Sequence, residues 1–97
     1  MMNTRLAALA LLICRAVTPA VAQNAPLVPG TGKDLVETGC QTCHSLSYIP
    51  MNSRFMTEAV WKAEVTKMRT AFGAPIDDDA ANAIIAYLVT NYGAAQK

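Results

Sequence analysis

The second half of the chain carries apolar side chains at a helical spacing. Four of them fall at i, i+4, i+7 and i+11 and so share one helix face: Trp61, Val65, Met68 and Phe72. Thr57 is a residue type that caps helices, and Gly73 followed by Pro75 is typical of a helix end. This pattern predicts a helix from about residue 57 to residue 72.

A further amphipathic stretch follows after a short break. Asp77 can cap a helix that runs to about Tyr92. The apolar stripe of this helix consists of Ala81, Ile84, Ile85 and Leu88. We expect this stripe to face the core of the domain.

A shorter helix is predicted before these two. Thr31, with Asp34 three residues later, predicts a helix start and resembles a capping box in which Asp replaces Glu or Gln. Leu35 and Val36 are the expected buried positions, and the helix is expected to end near Gly39.

Two segments lack a helical pattern. Residues 45 to 56 contain Pro50, Asn52 and several serines, and they are predicted to form a loop. Residues 23 to 30 hold two prolines, a glycine and no charge, which predicts an extended leader without core positions. Since no strand pattern and no internal repeat occurs, the predicted fold class is all-α, with one domain from residue 31 to residue 97.

The first 22 residues have the three parts of a secretory signal. Arg5 supplies a positive charge, residues 6 to 14 are an uninterrupted apolar run, and Ala20-Val21-Ala22 is a small-x-small cleavage site. Residues 1 to 22 are therefore predicted to be a signal peptide that is removed after export, which places the mature chain in the periplasm.

Two alternatives to a cleaved signal fit this segment less well. A membrane anchor needs about 20 consecutive apolar residues, whereas Arg15 interrupts the run here. A lipoprotein signal places its cysteine at the cleavage site, whereas Cys14 lies well upstream of it. The mature chain is accordingly expected to carry no membrane anchor.

Removal of this segment changes the charge and the cysteine content. Loss of Arg5 and Arg15 lowers the basic residues from 8 to 6 against 7 acidic ones, so the formal charge falls from +1 to −1. This charge gives no electrostatic reason to expect nucleic acid as a partner. Two cysteines remain, in a compartment where an unprotected pair usually forms a disulfide.

The chemistry of the mature chain is concentrated in one motif. Cys40, Cys43 and His44 form the sequence C-x-x-C-H, the attachment sequence for c-type haem. Two thiols at this spacing on a helical turn reach two neighbouring vinyl-derived carbons of a porphyrin, and the next residue places its imidazole under the iron. The sequence therefore predicts one covalent haem c, attached to Cys40 and Cys43, with His44 as axial ligand.

Three functions other than haem attachment are compatible with a pair of cysteines and a histidine. A structural zinc site needs four ligands, whereas the mature chain offers only three Cys or His residues. A thioredoxin-type pair expects a βαβ pattern, which is absent, and a plain disulfide stays an alternative. No nucleophile, carboxylate pair or second metal cluster is evident, so no catalytic residue is predicted and the chain alone is not expected to oxidise a substrate.

A methionine is the expected sixth ligand, because Met/His ligation raises the potential of electron-carrier cytochromes. Three methionines follow the signal peptide: Met51, Met56 and Met68. Met51 is within about 25 Å of extended chain from His44, barely enough to pass around a porphyrin. Met68 is favoured because it lies on the apolar stripe, while Met56, Met51 and an open position remain alternatives.

Several other side chains are candidate haem contacts: Tyr48, Arg54, Trp61, Val65 and Phe72. Arg54, Lys67 and Arg69 are cations that can neutralise the carboxylates of a haem, since a partly buried carboxylate needs a partner. Tyr48 and Trp61 carry hydrogen-bond donors that can serve the same carboxylates.

The mature chain resembles class I cytochrome c from about residue 29 to residue 92. Gly32 and Leu35 before the motif are similar to the contact positions of that family's N-terminal helix, and Tyr87-Leu88 to those of its C-terminal helix. The resemblance implies the class I fold, with three main helices around one haem. Many members have a proline about a dozen residues after the haem histidine, whereas Pro50 follows His44 by six, so the acceptor of the His44 Nδ1 proton stays open.

More narrowly, the chain is similar to the cytochrome c subunit of bacterial sulfite dehydrogenase. Residues 43 to 49, residues 61 to 68 and the segment Phe72-Gly73-Ala74-Pro75-Ile76 carry this likeness. In those subunits the methionine that ends the W-x-x-x-V-x-x-M segment is the distal ligand, which implies Met68.

The resemblance implies a periplasmic electron-transfer protein. Its expected partners are a molybdenum-cofactor subunit that oxidises sulfite and a downstream cytochrome or oxidase. A freely diffusing electron shuttle, the haem subunit of another dehydrogenase and a gas-binding haem sensor are the alternatives.

Overall fold

The computed structural model describes residues 26–94, and this part of the chain is helical without a strand. Its α-helices are α1 (Lys33–Cys40), α2 (Tyr48–Asn52), α3 (Glu58–Thr70) and α4 (Asp78–Tyr92), with a 3-10 turn at Ser53–Phe55. The predicted all-α class is confirmed. The predicted signal peptide, residues 1 to 22, lies outside the described residues.

The two long helices begin as predicted. The Thr57 side-chain oxygen accepts a hydrogen bond of 3.3 Å from the Val60 backbone N–H. An Asp77 carboxylate oxygen accepts one of 2.8 Å from the Ala80 N–H. These bonds satisfy backbone donors that have no partner within the first turn of a helix, which is why both helices begin at these residues.

The end of α3 differs from the prediction. The helix ends at Thr70, and Phe72, the last member of the predicted stripe, is 70% exposed. Gly73 adopts the left-handed conformation with φ of 69°, and the Ala74 N–H donates to the Met68 carbonyl oxygen at 2.9 Å. This bond satisfies a carbonyl of the last turn and ends the helix before Phe72.

The prediction that residues 45 to 56 form a loop is wrong. They contain α2 and the 3-10 turn, and Leu46 and Ile49 anchor them to the core as buried side chains. Pro50 lies in the first turn of α2, where a backbone N–H would have no helical partner. The proline that indicated a loop is therefore compatible with a helix of this length.

Both α1 and α3 pack on α4. The first of these contacts depends on Gly32, the cap of α1, which has φ of 95°. A Cβ at this position would lie 2.9 Å from the Ala83 carbonyl oxygen and 3.0 Å from the Tyr87 Cβ. Gly32 thus meets both a backbone and a packing requirement that other residues cannot meet without strain.

The predicted core positions are mostly buried. Six of them are less than a tenth exposed: Val36, Trp61, Val65, Ala81, Ile84 and Leu88. The prediction that Leu35 is buried is wrong, because its side chain is 40% exposed. The start of α1 also differs from the prediction, because the residue that caps the helix is Gly32 and not Thr31.

The extended segment before α1 is attached to α4. The Tyr87 hydroxyl donates to the Val28 carbonyl oxygen at 2.6 Å, and the Tyr92 hydroxyl accepts from the Val28 N–H at 2.9 Å. Burial, together with the neighbouring Tyr92, raises the pKa of Tyr87 to about 12, so Tyr87 stays a donor at neutral pH. Leu27 is buried, although the sequence predicts no core position in this segment.

We expect Gly32→Ala to lower the free energy of unfolding by about 3 kcal/mol, because it adds left-handed strain and a clash with α4. Gly73→Ala is the matched control, since Gly73 also has positive φ but a Cβ there would meet no atom within 4 Å. It should cost about 1 kcal/mol from strain alone. Chemical denaturation of the purified proteins measures both, and equal losses would contradict the importance of the α1–α4 contact.

Candidate cofactor site

A cavity of about 510 Å³ opens between the end of α1, the turn after it, α3 and the loop at residues 71 to 77. This volume lies within the range of about 300 to 1,000 Å³ that is typical of small-molecule and cofactor pockets. The residues predicted for covalent attachment and axial ligation all line it: Cys40, Cys43, His44 and Met68.

The two cysteines lie at the end of α1 and in the turn after it. Cys40 is its last residue, and a turn continues through Cys43, supported by a bond of 3.3 Å from the Thr42 hydroxyl to the Thr38 carbonyl oxygen. Both thiols are free; Cys40 is half-buried and Cys43 exposed. Burial raises the pKa of the Cys40 thiol. The spacing thus presents two unpaired thiols to one cavity.

The ring of His44 is oriented by its own backbone neighbour. Its Nδ1 lies 3.0 Å from the Ser45 carbonyl oxygen. A carbonyl oxygen only accepts, so this hydrogen bond requires the proton on Nδ1, and in the neutral ring it leaves a lone pair on Nε2. His44 therefore has a neutral form suited to bind a metal through Nε2, with the Ser45 carbonyl as the acceptor that the sequence left open.

Met68 is the one methionine of residues 26–94 that lines the cavity. Met51 is 73% exposed in α2. Met56 is buried in the core, and its carbonyl oxygen accepts a bond of 2.8 Å from the Ala94 N–H. The positions of these three side chains favour Met68 as the thioether that can reach a group held in the cavity.

The predicted stripe of α3 is divided between the core and the cavity. Trp61 and Val65 are buried and also border the cavity. The Trp61 indole N–H donates to the Tyr92 carbonyl oxygen at 3.0 Å, so it is engaged by the end of α4. Phe72 lines the cavity while 70% exposed, which places it at the opening.

The cations considered for this site lie in three different environments. Lys67 lines the cavity together with Tyr48, and its Nζ lies 2.7 Å from a carboxylate oxygen of Glu64, which lines it too. Arg54 does not line the cavity, and its guanidinium lies 4.6 Å from the centre of the Phe55 ring. Arg69 is bound to the loop after α3 and to the start of α4.

Further apolar side chains line the cavity that the sequence analysis did not identify as contacts. They come from the turn after the motif, α2, the loop before α4, and α4: Leu46, Ile49, Ala74, Ile76 and Leu88. Leu46 and Ile49 follow the C-x-x-C-H motif closely, so proximity in sequence was an available signal. Ile76 lies in the loop before α4 and Leu88 lies on α4, so both are far from the motif in sequence and reach the cavity only through tertiary packing.

Within residues 26–94, no group of three or more His, Cys, Asp or Glu side chains is placed to hold a metal ion. In the same residues, no helix has the length and apolar character needed to cross a membrane.

No family model matches the sequence, and no curated protein matches it.

In the haem-free chain, we expect an alkylating reagent to modify Cys43 faster than Cys40. Cys43 is exposed, whereas burial hinders access to Cys40 and raises the pKa of its thiol, which lowers the reactive thiolate fraction. Mass spectrometry of peptides after brief iodoacetamide treatment measures the two rates. Equal rates in the native chain would contradict this arrangement, and denaturant should remove the difference.

Proposed function

We propose that this chain is a periplasmic monohaem c-type cytochrome that transfers single electrons. One observation carries the proposal: Cys40, Cys43, His44 and Met68 converge on one cavity with a mainly apolar lining. Two free thiols, an imidazole and a thioether are the donor set that covalent haem with Met/His ligation requires. The residues present thus fit this cofactor.

The thiols of Cys40 and Cys43 would attach the cofactor. Each S–H would add across one vinyl double bond of the haem, so that the sulfur would bond to one carbon and the hydrogen would pass to the other. This addition consumes no oxidant or reductant. The thiols must therefore stay free until attachment, as they are in this structure.

His44 and Met68 would hold the iron, since both line the cavity. The bond from Nδ1 to the Ser45 carbonyl oxygen orients the His44 ring so that Nε2 could bind the iron. Met68 supplies a neutral thioether from α3. Bound haem supplies the one-electron ferrous–ferric couple, and the protein tunes it through these ligands.

The remaining wall of the cavity would exclude water and balance charge. Buried Leu46, Ile49 and Val65 form apolar surface, and low polarity around an iron centre is one of the means by which a protein sets its potential. Lys67 and Tyr48 place a cation and a hydroxyl at the same cavity, where they can serve the carboxylates of a haem.

We also propose that the fold is that of class I cytochrome c. The support is the contact between the start of α1 and α4, where Gly32 packs against Tyr87 as the resemblance implies. The haem would lie between α1, α3 and the loop after α3, where the cavity is.

The upstream partner in this proposal is a molybdenum-dependent sulfite dehydrogenase subunit. The support is the similarity of residues 43 to 49, 61 to 68 and 72 to 76 to the cytochrome c subunit of that enzyme. These three segments contribute Cys43, His44, Met68 and Phe72 to the cavity lining. The similarity therefore covers the part of the chain that would meet the cofactor.

We expect the oxidised wild-type protein to show the long-wavelength absorption band that a methionine sulfur gives to ferric haem, and Met68→Leu to lose it. Met51→Leu and Met56→Leu are matched controls and should keep the band, because neither side chain lines the cavity.

We also expect haem to stay with the wild-type chain in denaturing electrophoresis and to be lost in the Cys40→Ser, Cys43→Ser double variant.

A wild-type protein without this band would refute Met68 ligation. If its reduced form then bound carbon monoxide readily, a gas-binding function would replace electron transfer. Haem that separates from the chain on denaturation would refute covalent attachment.

We expect the reduced haem signal to appear on addition of sulfite only when a sulfite-oxidising molybdenum subunit from the same cell is present. The chain alone has no group proposed to oxidise sulfite, so the isolated cytochrome should stay oxidised. Stopped-flow spectroscopy of the oxidised cytochrome with sulfite, with and without that subunit, is the measurement. Failure of reduction by the subunit would refute this partner while leaving the electron-transfer proposal intact.

A further inference from the structure

The loop that joins α3 to α4 forms one wall of the cavity. Phe72, Ala74 and Ile76 all line it. The Ala74 N–H donates to the Met68 carbonyl oxygen at 2.9 Å, which ties the loop to the backbone of the proposed ligand. The Ile76 side chain reaches the end of α1, where its Cδ1 would lie 3.5 Å from a Cβ at Gly39.

Arg69 binds this loop from the residue next to Met68. Its Nε donates to the Ile76 carbonyl oxygen at 2.9 Å in a half-buried position. Its Nη2 lies 2.6 Å from an Asp78 carboxylate oxygen, and Asp78 is the first residue of α4. One planar guanidinium thus joins the last turn of α3, the loop and the start of α4, a geometry that a lysine ammonium does not reproduce.

The other cations of α3 act differently. Lys62 pairs with Glu58, and Lys67 pairs with Glu64, each within the same helix. Such exposed pairs hold no second element in place and stabilise little. Arg69 is therefore the cation of α3 with a contact pattern that can influence the position of the loop.

We propose that Arg69 is a positioning residue that holds the loop closed, keeps Met68 at the cavity and opposes its replacement by an external ligand. This inference rests on the proposed function, because it assigns a role around the proposed ligand. An external ligand can reach the iron only after the Met68 sulfur leaves, and the Met68 backbone and the loop are bonded to each other. Loosening the loop therefore raises the population in which Met68 is displaced.

The two bonds of Arg69 should contribute unequally. Asp78 is 89% exposed at its side chain, so its ion pair is expected to add little. The bond to the Ile76 carbonyl oxygen is half-buried and charge-assisted, and its loss leaves that carbonyl without this partner. Removal of the whole side chain should thus have a larger effect than removal of the Asp78 charge.

The test uses the oxidised haem-loaded protein and imidazole as the external ligand. Spectrophotometric titration gives the imidazole dissociation constant from loss of the methionine–haem band. Limited chymotrypsin cleavage after Phe72, an exposed residue of the loop, reports loop opening independently of the ligand.

We expect Arg69→Ala to bind imidazole about tenfold more tightly than wild type and to be cleaved faster after Phe72. Asp78→Asn should change the dissociation constant by less than about twofold, since an exposed ion pair contributes little. Arg69→Lys should recover only part of the wild-type affinity. Lys62→Ala is the matched control and should behave as wild type.

Each other outcome overturns the inference in an identifiable way. Faster cleavage with unchanged imidazole affinity in Arg69→Ala would show that the residue supports the loop without positioning Met68. Unchanged cleavage and affinity would show that the contact does not hold the loop closed. A wild-type protein without the methionine–haem band would overturn the ligation itself, and with it both this inference and the Met68 part of the proposed function.

Discussion

The close contact between the start of α1 and α4 determines where the candidate site forms. A Cβ at Gly32 would lie 2.9 Å from the Ala83 carbonyl oxygen, so glycine is needed for this approach. From this contact α1 runs to Cys40 at its other end, while α3 packs on the same α4. Because α1 and α3 both pack on α4, the two cysteines at and just after the end of α1 and Met68 on α3 reach a shared cavity.

The apolar side chains of this small domain serve a core and a cavity together. Val36, Ile84 and Tyr87 are the most deeply buried. Five further buried residues also line the cavity: Leu46, Ile49, Trp61, Val65 and Leu88. A domain of this size buries little apolar surface and commonly depends on a metal, a cofactor or disulfides. The proposed haem would extend this core, because it would contact side chains that already belong to it.

Local signals predicted much of the fold because each involves residues close in sequence. The caps at Thr57 and Asp77 use a side chain and a backbone N–H three residues later, so their residue types sufficed. The same local signals gave wrong predictions where the position in a helix or the surrounding structure determines the conformation. Pro50 indicated a loop but lies in the first turn of α2, and Phe72 continued an apolar stripe beyond the end of α3.

The sequence by itself determined the helical class, the start of both long helices, and the presence of two thiols and one imidazole at the spacing of haem attachment. Only the tertiary structure decided which methionine lines the cavity, that Arg54 lies outside it, and that Arg69 joins α3 to the loop. Helical period and motif spacing are properties of neighbouring residues. Cavity contacts instead depend on how α1, α3 and α4 cross, and this crossing is set by side chains far apart in the chain.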